Sequence, residues 1–143
     1  MRPLLSLLML LSFIYATDVM KEQEYPQEKM REQNRKILKM VVEEISKKLP
    51  QKVDNYTNMT QIKDENLTLI YTFEINTGAK SDEAVRKEDR SRMKKAVTKG
   101  VCNSSKRFLE VDVELVYEYK SATSKEELFS FHITKKRCEE EKL

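Results

Sequence analysis

The chain has 143 residues, with 27 basic and 24 acidic side chains giving a net charge of +3, and charged residues make up 36% of the total. So balanced a surface carries no strong field of one sign, which excludes steering of nucleic acid or membrane by the molecule as a whole and leaves partners to be sought locally. One histidine, two cysteines and two glycines leave little for histidine-based metal sites, free-thiol nucleophiles or Gly-rich phosphate loops.

Residues 1–16 have the layout of a secretory signal peptide. Met1-Arg2-Pro3 precedes a largely apolar run from Leu4 to Tyr15, and Ala16 offers a small residue for cleavage before polar Thr17-Asp18. The run is shorter than the roughly 20 apolar residues that span a bilayer, so the expected product has no membrane span after cleavage. About 127 residues then remain, enough for one domain and too few for two. Residues 17–27 read as a polar N-terminal segment and 28–143 as a single domain.

A helix is expected just after Pro26. Met30, Ile37, Leu38, Val41, Ile45 and Leu49 recur at three- and four-residue steps, and Leu49-Pro50 stops the pattern. Gln51 to Ile62, dense in Asn and Thr, reads as an edge strand. Asp64-Glu65-Asn66 then turns the chain into a strand with Leu67, Leu69, Tyr71, Phe73 and Ile75 on one face, which completes a hairpin. Ser81-Asp82-Glu83 supplies capping chemistry for a second helix through about Lys99, with Gly100 placed to end it. Leu109, Val111, Val113, Leu115, Tyr117 and Tyr119 alternate with a face rich in Glu and Asp, and Leu128 to Lys136 forms the returning strand. Helix, hairpin, helix, hairpin predicts an α+β fold with one antiparallel sheet packed on helices.

Cys102 and Cys138 are the only cysteines, and in an exported chain they are expected to close one disulfide around a loop of about 36 residues, removing on the order of 3–4 kcal/mol of denatured-state entropy.

Several of these features occur together in one group of proteins. Lys48-Leu49-Pro50-Gln51-Lys52-Val53-Asp54 followed by Thr57, and the Cys102 to Cys138 span enclosing Val116-Tyr117-Glu118-Tyr119, resemble small exported bacterial proteins with a cystatin-like α+β outline. The resemblance implies this fold and export. It names no reaction. The chain departs from that group by carrying Glu or Asp where a turn glycine usually precedes the strand of Val116-Tyr117-Glu118-Tyr119.

Four local features compete for a functional role. His132 sits at a strand position facing away from Phe131 and Ile133, as a surface histidine would. Glu110, Asp112, Glu114 and Glu118 recur along one strand face, where they could share a proton or a hard cation, although any solvated strand face has this pattern. Residues 80–107 hold ten basic against four acidic side chains, and from these Arg86, Lys87, Arg90, Lys94 and Lys95 are taken as the candidate binding surface. Its partner is an envelope or extracellular protein or an anionic surface; nucleic acid is excluded because no aromatics are interleaved for stacking. Finally, Asn55, Asn58, Asn66 and Asn103 begin Asn-x-Ser/Thr triplets, acceptors only where a eukaryotic-type glycosylation pathway operates.

The composition therefore predicts a non-catalytic binding or assembly domain, secreted or periplasmic, with no cofactor and no metal. Two alternatives stand beside it. One is a cystatin-like protease inhibitor acting through the Gln51–Asn55 segment, and the other a carboxylate-based hydrolase.

Overall fold

The structure is a computed structural model that describes residues 27–141, so the expected signal peptide and residues 17–26 lie outside the described residues. Helix α1 (Gln27–Ser46) occupies the first of the described residues. Its apolar stripe is used from Leu38 onward: Leu38 is fully buried, and Val41, Val42 and Ile45 pack beside it against Ile62, Leu67, Leu69 and Val113. Met30, Ile37 and Met40 remain exposed.

The segment read as one edge strand is two strands, β1 (Gln51–Lys52) and β2 (Thr57–Glu65). Asp54 divides them, its carboxylate accepting from the backbone N–H groups of Tyr56 at 2.7 Å and Thr57 at 2.8 Å. Such a side-chain turn offers the backbone partners that a continuous strand would deny it. Strand β3 (Thr68–Ile75) follows through Asn66 and Leu67, both at positive φ (46° and 65°), the conformation of a two-residue hairpin turn whose twist matches the flanking strands.

The second helical region is divided in three. α2 (Asp82–Arg86) is capped by Ser81, whose hydroxyl accepts from the Ala84 N–H at 3.2 Å, and it ends before α3 (Ser91–Ser104) and α4 (Lys106–Glu110). Gly100 does not end a helix; it lies inside α3. Thr98, Val101 and Cys102 are the buried residues of α3, and anchoring beyond the glycine outweighs the roughly 1 kcal/mol that glycine costs in a helix.

The strand expected from Leu109 begins later, as β4 (Glu114–Ser121). Phe108 and Leu109 N–H groups both bond the Ser105 carbonyl and close a helical turn, which buries Leu109 instead of leaving it in a ladder. After β5 (Glu127–Ile133) the chain forms a short helix, α5 (Lys135–Glu140), capped by the Thr134 hydroxyl, in place of the expected strand end.

The α+β class and the helix–hairpin order hold, but the sheet is mixed rather than wholly antiparallel. The strands run in sequence order, β1 to β5, and β3 pairs with β4 in parallel, Leu69 opposite Leu115 and Phe73 opposite Tyr119. The crossover through α2, α3 and α4 returns the chain to the starting end of β3, and a parallel pair requires such a connection. Residues from α1, α3, α4 and α5 pack on the same sheet face, over two adjoining clusters centred on Leu69 and on Leu115, Phe131 and Ile133. The other face carries Thr72, Glu118, Ser130 and His132.

Candidate binding surface

The structure separates the five predicted surface cations. Arg86 donates from Nε to the Glu127 carbonyl at 2.9 Å and fastens α2 to the start of β5. Arg90 donates from Nη1 to the carbonyls of Arg86 (3.2 Å) and Glu88 (2.9 Å), and its guanidinium lies 4.1 Å from the centre of the Phe129 ring. Both are structural braces. Lys87 is exposed and pairs with Glu83 one turn back at 2.6 Å. Only Lys94 and Lys95 stand apart, exposed and without an ion pair among the described residues.

These two lysines have company that sequence reasoning missed. Lys94, Lys95 and Lys99 line one wall of a groove of about 440 Å³ between α3 and α5, together with Ser91, Arg137 and Glu141. Arg137 Nε lies 3.1 Å from Glu141 Oε1 as an ion pair, without the alignment of a hydrogen bond. The disulfide between Cys102 and Cys138 (Cα–Cα 5.7 Å) ties α5 against α3, and so sets Arg137 opposite the lysines. The signal was present in the sequence: Arg137 adjoins one cysteine, and Lys99 lies three residues before the other.

A second concavity, about 580 Å³, opens at the end of β3. Ile75, Val85, Met93 and Phe129 form its apolar wall, Tyr56 reaches it from the β1–β2 turn, and Lys80, Glu88 and Arg90 supply charge. Lys80 and Glu88 are already paired at 2.6 Å, which holds the Glu88 carboxyl below its usual range through the hydrogen bond and the charge of Lys80. A third, about 800 Å³, lies between α1 and α4 and is lined by Asn34, Ile37, Phe108 and Val111 among others.

The carboxylate row is not formed. Glu110 belongs to α4 and Asp112 to the turn after it, at φ 60°, because β4 begins only at Glu114. Glu118 accepts from the Thr72 hydroxyl at 3.1 Å and stands 3.6 Å from Lys120. His132 is exposed on the other sheet face, paired across the ladder with Val116. Among the described residues, no group of three or more His, Cys, Asp or Glu side chains is placed to hold a metal ion, and no helix is long and apolar enough to cross a membrane. Asn55, Asn58, Asn66 and Asn103 are all exposed.

The geometry is that of a braced sheet with shallow, open surfaces. The sequence model of the family described as Domain of unknown function (DUF8479) matches residues 32–129. No curated protein matches the sequence significantly. Among solved structures, a Pseudomonas aeruginosa protein thought to be secreted is similar with a TM-score of 0.66 at 15% identity, over 76% of this chain and 95% of that one. The pilotin EpsS of the Vibrio vulnificus type 2 secretion system is similar with a TM-score of 0.63 at 11% identity, over 78% of this chain and 96% of its own. The type II secretion pilotin AspS of Vibrio cholerae gives 0.59 at 13% identity, over 78% and 97%. At these identities the likeness establishes a shared fold.

Proposed function

The chain belongs to the DUF8479 family, and we propose that it is an exported, non-catalytic binding or assembly domain of the cell envelope or extracellular space, stabilised by one disulfide and working by holding a partner protein on its surface. The observation that carries this reading is the fold shared with two secretion-system pilotins across nearly the whole of their chains. Export, cleavage after Ala16 and a single domain from residue 28 belong to the same proposal; the signal-like N-terminus and the closed cysteine pair support it.

Expression of the full chain with a C-terminal tag in its own host tests this. The expected result is an extracytoplasmic species whose mass corresponds to a start near Thr17, co-purifying with one envelope or secreted protein in a fixed ratio. Recovery of the uncleaved chain from the cytoplasm, or purification of the mature chain with no stoichiometric partner, would overturn it.

One observation favours a second reading, the cystatin-like inhibitor. The β1–β2 turn presents Val53 and Tyr56 to solvent at 56% and 68% exposure, an apolar tip of the kind a protease cleft could accept. Inhibition of a papain-type protease by the purified domain, abolished by Val53→Ser with Tyr56→Ser, would establish it. Unaltered protease activity at saturating domain would remove it.

A further inference from the structure

We propose that the groove between α3 and α5 docks an acidic segment of a partner protein, through Lys94, Lys95, Lys99 and Arg137. The inference rests on the binding role proposed above and names the chemistry of the partner.

Three observations lead to it. First, α3 contains no acidic residue, and Lys94, Lys95 and Lys99 form no ion pair among the described residues. On neighbouring helices several lysines are neutralised locally, as in Lys87 with Glu83, Lys106 with Glu110 and Lys136 with Glu140, whereas single lysines such as Lys135 are not; α3 is distinct in gathering three unpaired ones in a helix without a carboxylate. Three unneutralised like charges within six residues repel one another and weaken the helix by a few tenths of a kcal/mol, so an arrangement that keeps them gains from an external anion.

Second, the charges converge on a concavity. Arg137 stands on α5 across from the lysines, and the Cys102–Cys138 bond holds the two helices together. A flat phospholipid leaflet meets protruding charges; a groove between two helices instead admits a chain that can follow it. A single elongated acidic segment fits the shape better than a membrane does.

Third, the groove already holds a carboxylate. Glu141 lies in it and takes the Arg137 guanidinium at 3.1 Å, so the spacing that a partner's Asp or Glu would occupy is filled in the isolated chain by an internal substitute. Glu141 acts as a competitor that a more acidic segment displaces.

The probe is a fluorescein-labelled octaglutamate peptide, read by anisotropy against the mature, disulfide-closed protein at low and at physiological ionic strength. The expected outcome is saturable binding that weakens with salt and falls about tenfold or more in the triple variant Lys94→Glu, Lys95→Glu, Lys99→Glu, because attraction is converted to repulsion at three positions. Glu141→Gln should tighten binding, a gain that misfolding cannot imitate. A triple reversal on α1, Lys29→Glu, Arg31→Glu, Lys39→Glu, makes the same change in net charge and should have a much smaller effect. Thermal melts accompany each variant. Equal weakening by the two triples, no binding of the peptide by the unaltered protein, or binding to phosphatidylglycerol vesicles without binding to the peptide would each overturn the proposal. Capture of an envelope partner that survives the α3 triple would overturn the groove alone and leave the assembly role intact.

Discussion

Leu67 holds a left-handed backbone at φ 65° while burying its side chain, with 6% exposure, in the cluster around Leu38 and Leu69. A non-glycine residue there costs roughly 1–2 kcal/mol, so the burial must exceed that cost. Leu67→Ala is expected to destabilise by about 2–4 kcal/mol in denaturant titration. Leu67→Gly should be less harmful than Leu67→Ala by about 1 kcal/mol, the reverse of the ordinary ranking, since glycine carries no penalty at positive φ. Arg90 and Lys94 make the second contrast at this scale. Removing Arg90 loses a cation–π contact and two bonds to carbonyls, so Arg90→Ala should lower stability by about 1–2 kcal/mol. Lys94→Ala should change it by less than about 0.5 kcal/mol, as exposed charges generally do. A basic residue in this stretch is therefore a brace or a free surface charge according to its neighbours, and only a structure separates them.

At the scale of elements, α3 continues through a glycine because its next two residues are core. The Cβ of an alanine at position 100 would meet nothing within 4 Å, and Gly100 carries no positive φ, so Gly100→Ala should raise stability by about 0.5–1 kcal/mol with no change in fold. α5 is a different case, six residues whose only buried member is Cys138. Replacing both cysteines by serine should cost about 3–4 kcal/mol in global unfolding and should expose α5 selectively to amide exchange. Uniform loss of protection across the sheet, with α5 no faster than the rest, would contradict this placement of the bond. These errors of boundary share a cause. Local patterning reads Leu109, Val111 and Val113 as a strand, whereas the backbone bonds to Ser105 and the burial of Leu109 make a helix of the first of them.

For the molecule as a whole, the core face of β3, β4 and β5 is an aromatic ladder. Tyr71 stacks on Tyr117 at 5.1 Å, Phe73 on Tyr119 at 5.0 Å, and Tyr119 on Phe129 at 4.7 Å. Burial pushes the hydroxyls of Tyr117 and Tyr119 up to about 12, with added repulsion from Tyr71 and Tyr119 on the former and from Asp54 on the latter. Both groups bind their protons more tightly folded than unfolded, so their stabilisation is complete below pH 10 and is lost as pH rises from 10 to about 12. The expected outcome is cooperative alkaline unfolding of the whole sheet in that window, monitored by tyrosinate absorbance together with circular dichroism. Tyr117→Phe should reduce its steepness. Tyrosinate appearing near pH 10 with the fold intact would refute the buried placement.

The sequence by itself determined the Ser81 cap, the alternation of β3 and β4, the α+β class and the identity of the cysteine pair. Each of these depends on periodicity, on a side chain bonding its own near neighbours, or on there being a single candidate partner. The direction of β4 against β3, the breaks between α2, α3 and α4, and the course of α3 past Gly100 were decided only by tertiary structure, because they turn on which of several locally acceptable conformations buries Val101, Cys102 and Leu109 together. The candidate binding surface divides along the same line. An excess of positive charge is a property of composition, but the groove that sets Arg137 against Lys94, Lys95 and Lys99 exists only once the disulfide and the core have brought α3 and α5, remote in the chain, side by side.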